Sequence, residues 1–242
     1  MAGGAKLALM PKKKKDFWNK EYAEARSFAL SDEPAEDLIK FTRFLMRQSG
    51  KNLLNVTRKA LDVGCGNGRN LIYLGETFGM HGLGYDLSSE AIDQARQNAG
   101  ELPLEFKVQS LADPIPLPDS SVTIALDMMA SHVLKRAERE KLRGEIFRVL
   151  RPGGWLLFKS FLLEDDQNAA RMLEEYPGAE EGMYLHPRIK VAEYVWPTVS
   201  DVEDFYTEEG FSVHKTEKSF KHVTRAGKPW KRRSVIAYLE KS

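Results

Sequence analysis

The stretch Ala60-Leu61-Asp62-Val63-Gly64-Cys65-Gly66-Asn67-Gly68 decides how the rest of the chain reads. Apolar residues run into a carboxylate and then three glycines at alternate positions. That is the pattern of a buried strand turning sharply into a helix, with the backbone bared where a ligand comes close. Such a turn fits a nucleotide-type cofactor. A second apolar run, Gly82-Leu83-Gly84-Tyr85-Asp86, ends in another carboxylate, placed where it can accept both hydroxyls of a ribose. The glycine order is G-x-G-x-G, and Arg69 stands where a dinucleotide fingerprint needs its last glycine, which counts against a nicotinamide or flavin oxidoreductase.

Outward from this turn the pattern alternates. Arg69 to Thr77 is expected as a helix whose first amides face the ligand, with a strand ending at Asp86 after it. Ser88 caps a helix that turns Ala91, Ile92 and Ala95 inward, Leu104 to Val108 is a strand, and Val122 to Asp127 is another. Glu138 to Leu150 reads as a helix with Leu142, Ile146, Val149 and Leu150 inward, followed by a strand from Trp155 to Phe161. Strand and helix in repetition give an α/β, Rossmann-like, doubly wound sheet. On the N-terminal side, Ser31 and Asp32 before Glu33 and Pro34 read as a helix start, and Leu38, Phe41, Phe44 and Leu45 follow helical spacing up to Ser49 and Gly50. On the other side, Leu163 to Val199 is the least regular stretch and is expected as a lid or pocket wall. Val202 to Glu209 is a short helix, with strands at Phe211 to Lys215 and Ser234 to Leu239.

The glycine turn, the acid two residues before its first glycine, Asp86, and Leu150-Arg151-Pro152-Gly153-Gly154 before another apolar run together resemble the class I S-adenosylmethionine-dependent methyltransferases. The likeness covers Lys59 to Leu162 well and the flanks loosely. It implies a seven-stranded, mostly parallel sheet with the last strand antiparallel, and S-adenosylmethionine as cofactor, with no metal. It also implies cofactor contacts from Asp62, Gly64, Cys65, Gly66, Gly68, Asp86, Leu87, Leu111, Ala112, Asp113, Asp127 and Met128, with an N-terminal aromatic segment laid over the cofactor. Tyr22, four residues from Trp18, is the candidate for that role. The family's usual acid at the adenine aligns with Leu111 here, so Asp113 is the alternative donor partner.

Methyl transfer from a sulfonium is an in-line displacement, so holding the acceptor close, aligned and dry supplies most of the catalysis. A pre-ionised acceptor needs no base; a neutral hydroxyl gains from one. His132, just past the fourth strand, is the best-placed candidate, with a backbone-bonded structural histidine as the plain alternative. Asp127-Met128-Met129-Ala130 stands where an amino methyltransferase of adenine or cytosine carries D-P-P-Y or N-P-P-Y, and no Pro-Cys pair is present for covalent attack on a base carbon. A small-molecule acceptor is therefore expected. RNA is the alternative, on the strength of Arg225, Lys228, Trp230, Lys231, Arg232 and Arg233, which suit phosphates and stacked bases. A non-catalytic cofactor-binding module is the third.

The 242 residues suit one α/β domain with extensions. Residues 1–15 hold five lysines and no acid and are expected as a mobile basic tail, 16–57 as a helical cap within a single domain 16–242, and 163–200 as the substrate insertion. The net charge of +1 conceals a body of −11 between basic ends. No apolar run approaches a bilayer span, no signal-peptide order opens the chain, and Cys65 is the single cysteine, so a cytoplasmic protein that binds no membrane is expected.

Overall fold

A computed structural model describes residues 11–24, 31–225 and 228–242, and the side chains of all of these except 11–14 and 220–231. Its centre is a seven-stranded sheet built from β1 (Lys59–Val63), β2 (His81–Asp86), β3 (Leu104–Val108), β4 (Val122–Met128), β5 (Leu150–Phe161), β8 (Phe211–Arg225) and β9 (Lys228–Lys241). The strand order is β3-β2-β1-β4-β5-β9-β8, and only β9 runs antiparallel to its neighbours. The chain starts at β1, winds outward to β3, and returns to the other side of β1 at β4. That reversal leaves a crevice above the strand ends, where open α/β sheets bind ligands.

Both faces of the sheet are covered. Helices α2 (Glu36–Ser49), α3 (Arg69–Phe78) and α4 (Ser89–Ala99) bury Phe41, Leu45, Leu71, Leu74, Ile92 and Ala95 against Leu126, Leu157 and Tyr238. On the other face α5 (Arg136–Val149) and α7 (Val199–Thr207) bury Leu142, Ile146, Val202 and Tyr206 against Ala125, Leu156 and Phe158. These are the helical and strand periodicities of the sequence expressed as two apolar layers.

The structure moves several expected boundaries. α2 begins at Glu36, not at Ser31: its N-cap Ala35 makes no side-chain cap, and Asn70 Oδ1 accepts from the Ala35 N–H at 2.9 Å, so a residue 35 positions away does the capping. α7 begins at Val199, because Thr198 and Asp201 form a reciprocal capping box that the sequence T-V-S-D encodes. The segment after β5 carries its own α6 (Gln167–Glu175) and a hairpin of β6 (Met183–Leu185) and β7 (Ala192–Tyr194), built on a small apolar cluster of Ala169, Met172, Tyr184 and Val195. Its irregular sequence is ordered by packing on the ends of β5 and β9. The last two strands continue in register from Ser219 opposite Ser234 to Arg225 opposite Lys228, so the stretch expected as a connection is a long hairpin. At the N-terminus α1 (Pro11–Glu24) begins inside the expected tail, so residues 11–15 are helical, while residues 1–10 lie outside the described residues. Among the described residues no helix is long and apolar enough to cross a membrane.

Phe41 is fully buried, its ring centroid 4.9 Å from Tyr238 and 6.3 Å from Trp155. Phe41→Ala should cost about 3–5 kcal/mol of stability in urea unfolding, whereas Val56→Ser, on the surface, should cost less than about 0.5 kcal/mol.

Candidate functional site

Three neighbouring strands end in carboxylates. Asp62 lies near the end of β1, Asp86 ends β2, and Asp127 lies near the end of β4; Asp62 and Asp127 are almost entirely buried. Asp86 is the most fully bonded: its Oδ2 accepts from the Gly66 N–H at 3.1 Å and its Oδ1 from the Ser88 N–H at 2.9 Å. Burial pushes its carboxyl above the usual carboxylate range, while N–H bonds from Ser88, Gly66 and Leu87 pull the other way. Asp62 has an oxygen, Oδ2, with no partner. Burial pushes its carboxyl up to about 8, with Asp86 adding to the effect. Burial also raises Asp127 to about 6, against hydrogen bonds from Ser131.

The glycine turn lies between these acids. Gly64 and Cys65 donate to the Tyr85 carbonyl at 2.8 and 3.1 Å, which bends the chain back over the end of β2. A Cβ on Gly64 would sit 2.5 Å from the Ala130 Cβ. A Cβ on Gly66, where φ is +55°, would collide with the Tyr22 hydroxyl. Gly68 is the N-cap of α3. The Cys65 side chain packs under Gly84 with its thiol on the Gly66 carbonyl, and burial pushes the thiol well up, which lowers its reactivity.

Two pieces of the N-terminal region close over the turn. Asn19 Oδ1 accepts from Ser88 Oγ and the Ser89 N–H at 2.9 and 3.0 Å, and Gln94 Nε2 donates to the Tyr22 carbonyl at 2.9 Å, which seats α1 across the start of α4. Tyr22 is thereby brought to Gly66; Trp18 rests edge-on to Phe17. Residues 31–35 are held by α3 and its preceding turn: Asn67 Nδ2 donates to Ser31 O and Asp32 Oδ1, Arg69 to Glu33 O, and Asn70 accepts from Ala35. None of Asn19, Asn67 and Asn70 is visible as a site residue in the sequence, because each works through a partner remote along the chain.

Beyond β3, Leu111 lies beside Gly64, its Cδ1 3.9 Å from where a Cβ would be, while Asp113 is exposed. Ala112 is fixed by its N–H on Ser110 Oγ and its carbonyl on Lys141. Of the two candidates in this stretch, Leu111 borders the turn. Met128 Sδ is 3.7 Å from Asn70 Nδ2, and Met129 takes a φ of +62°, rare for a residue with a side chain, as the chain leaves β4.

His132 follows in a 3-10 turn, Ser131–Val133, against which β7 packs. It is buried, its ring 4.9 Å from Phe161 and edge-on, and its Nδ1 has no partner. Burial lowers its pKa to about 4, so the ring is neutral at physiological pH. Two ion pairs, one largely buried and one half-buried, flank the same end of the sheet. Lys159 of β5 pairs with Asp37 of α2, and Arg232 of β9 pairs with Glu193 of β7 at 3.1 Å. Arg232 is thus committed to Glu193 and Tyr184; the side chains of Arg225, Lys228, Trp230 and Lys231 lie outside the described residues. Among the described residues no cluster of His, Cys, Asp and Glu could hold a metal ion.

Residues 61–158 match the family model of a methyltransferase domain. The chain is 31% identical over 143 residues to a fatty-acid O-methyltransferase of Mycolicibacterium smegmatis, an alignment that takes in 59% of this chain and 51% of that protein. It is 33% identical over 135 residues to phthiotriol/phenolphthiotriol dimycocerosates methyltransferase 1 of Mycobacterium ulcerans, covering 53% and 45% of the two. The chain therefore spans about half the length of these curated relatives. Among solved structures, an S-adenosylmethionine-dependent methyltransferase from Methanosarcina mazei superposes with a TM-score of 0.63 at 26% identity, over 78% of this chain and 95% of that one.

Two outcomes test the turn. Asp62 is an acid whose folded pKa lies above its ordinary 3.8, so the stability it contributes is full below about pH 4 and is lost as the pH rises through 8. Asp62→Asn should leave the ligand-free protein with a higher melting temperature than the wild type at pH 8, the gap closing towards pH 4 in a thermal scan. Gly66→Ala should displace Tyr22 and loosen α1, read as faster amide exchange in 16–24, and Gly66→Ala with Tyr22→Ala should relieve the clash at the turn.

Proposed function

We propose that this chain, which belongs to the class I S-adenosylmethionine-dependent methyltransferases, transfers a methyl group to a small molecule that reaches His132 beneath the segment 162–196. The residues around the glycine turn fit the cofactor. A buried carboxylate with an oxygen lacking any partner, Asp62, calls for a cationic or donor group, and the cofactor carries an ammonium and a sulfonium. Asp86, at the tip of β2 and held by two backbone N–H groups, presents a carboxylate where a ribose diol would be recognised. Leu87, Leu111, Ala112 and Asp113 would border the adenine, and Asp127, Met128 and Tyr22 the side facing the acceptor.

When bound, the cofactor supplies an electrophilic methyl group whose transfer leaves a neutral thioether. The protein's part is to orient and to exclude water. Tyr22 and residues 31–35 close the crevice on one side, and α6 with the β6–β7 hairpin closes it on the other. His132, neutral and with an unpartnered Nδ1, is the group positioned to take a proton from an acceptor. The observation that carries the reading is this placement: the orphaned carboxylate at the end of β1 and the orphaned imidazole past β4 flank the point where the sheet reverses its winding order.

Support for a small molecule comes from the relatives, whose names specify fatty-acid and phthiotriol-type acceptors. The test is transfer of tritium from methyl-labelled S-adenosylmethionine into a fractionated cell extract. Label is expected in the small-molecule fraction. Label confined to RNA or protein would overturn the acceptor class. His132→Ala should lower turnover by about 10²- to 10⁴-fold with cofactor affinity, measured by calorimetry, unchanged.

A further inference from the structure

Helix α5 carries four arginines, and three of them have an acid: Arg136 pairs with Glu140, Arg143 with Glu208 and Glu209, and Arg148 with Glu145 and Asp119. Arg139 is the buried one, 5% exposed, and among the described residues no carboxylate pairs with it. Its Nη1 donates to the Leu134 carbonyl at 2.7 Å, its guanidinium carbon lies 3.5 Å from the centre of the Tyr194 ring, and its Nε has no partner. The two carboxylates whose charge reaches it are taken: Glu180 accepts from the Arg136 N–H, and Glu140 pairs with Arg136. A cation held out of water without a counter-ion is costly, and this one stands at the start of α5, where the helix dipole also opposes it. Stacking on Tyr194 offsets part of that cost and fixes the plane of the fork, but a ring face leaves the in-plane N–H groups unbound.

A second donor beside it is also without a partner. Trp196 is 4% exposed, its ring centre lies 5.9 Å from the Arg139 guanidinium carbon, and its Nε1 bonds to nothing. Tyr194 and Trp196 both belong to the segment after β5, and Leu134, whose carbonyl holds Arg139, closes the 3-10 turn that carries His132. We propose that the Nε–Nη2 edge of Arg139 holds an oxyanion, a carboxylate or a phosphate, that the methyl acceptor carries apart from the atom that is methylated, with Trp196 Nε1 as the second donor. This rests on the methyl-transfer reading given above, and it narrows the acceptor to an acidic small molecule.

A water or an amide carbonyl would satisfy the two N–H groups and leave the charge uncompensated. An oxyanion satisfies both, since two of its oxygens match the side-on edge of a guanidinium. The anion and the methylated atom are separate groups of one molecule, because an oxyanion acting as nucleophile would bring no proton to His132 Nδ1, the orphaned acceptor of the adjoining turn. In the step, a lone pair on the nucleophilic atom forms the bond to the methyl carbon, the carbon–sulfur bond breaks with its pair left on sulfur, and the nucleophile's proton passes to His132. The oxyanion enters and leaves unchanged. Arg139 is enclosed by Tyr194, Trp196 and the Leu134 carbonyl, whereas the glycine turn meets Tyr22, Leu111 and Ala130, which places the anion on the acceptor and not on the cofactor's own carboxylate.

The first experiment follows the arginine Nε–H and indole N–H signals by NMR in the full chain saturated with S-adenosylhomocysteine, with Arg139 assigned from Arg139→Lys and Trp196 from Trp196→Phe. Sodium phosphate and sodium acetate are titrated in separate arms, against sodium chloride at matched ionic strength. A saturable shift of the Arg139 Nε–H with phosphate or acetate, and none with chloride, is expected, and the tighter of the two identifies the anion. No response to either, or an equal response to chloride, would overturn the site. If S-adenosylhomocysteine alone moved the Arg139 signal and abolished the response to both anions, the occupant would be the cofactor's carboxylate and the assignment to the acceptor would fall. The second experiment runs the tritiated wild-type products of the small-molecule fraction by electrophoresis at about pH 1 and about pH 7. Label that shifts towards the anode as the pH rises carries a free carboxyl or phosphate, which is expected. Label with unchanged mobility would overturn the proposal, and methanol released from it by mild alkali would show that the carboxylate itself had been methylated. Arg139→Met should raise the KM for the purified acceptor about tenfold or more with the cofactor KM unchanged, and Arg139→Lys, which keeps the charge without the fork, should fall between; an unaltered acceptor KM in both would overturn the role of Arg139. Absence of label from every fraction would instead count against methyl transfer itself, while the anion titration still decides whether Arg139 holds an oxyanion.

Discussion

Three carboxylates brought out of water at adjacent strand ends are the constraint that the rest of this structure accommodates. Burial raises the proton affinity of Asp62, Asp86 and Asp127, repulsion from Asp86 and Asp127 adds to the effect at Asp62, and Asp86 and Asp127 accept backbone N–H bonds that pull the other way. A fold that optimised stability alone would not keep Asp62 with a bare oxygen in its interior. The glycine turn satisfies part of the charge by aiming the Gly66 N–H at Asp86, and Asp62 Oδ2 stays without a partner. Strain and unsatisfied groups concentrated at one end of a sheet that is otherwise conventionally packed are the signature of a site and not of a folding error.

That end of the sheet is walled by parts of the chain that are far apart in sequence. α1 is pinned through Asn19 to the first turn of α4, residues 31–35 are gripped by Asn67, Arg69 and Asn70, and the β6–β7 hairpin is tied to β9 through Glu193 and Arg232. Buried ion pairs of this kind add little net stability compared with apolar replacements, but removing one member leaves a stranded charge, so each pair fixes the position of the segment that carries it.

The hairpin also changes the meaning of the basic C-terminal stretch. Its cations lie on two strands paired out to Arg225 and Lys228, and Arg232, at the root of that extension, is turned into the fold towards Tyr184 and Glu193. Composition alone presents these residues as a uniform positive patch; the topology sets Arg232 apart, bonded to Tyr184 and Glu193.

The sequence by itself determined the layered fold and the glycine turn. Both are written in local terms: apolar runs of strand length, helical spacing of Leu142, Ile146 and Val149, a Ser88 cap, and glycines beside Asp62 and Asp86 whose backbone geometry no other residue adopts as readily. The strand ranges of β1 to β4 follow within a residue or two for that reason. Tertiary structure decided everything that depends on which segments meet. Ala35 starts α2 because Asn70 reaches it, Leu111 and not Asp113 lies beside the turn, the segment after β5 is ordered because it can pack on the ends of β5 and β9, and β7 comes from about sixty residues downstream to pack against the turn that carries His132. A buried polar group is satisfied by whatever the fold brings within about 3 Å, and sequence spacing carries no record of contacts made across such distances along the chain.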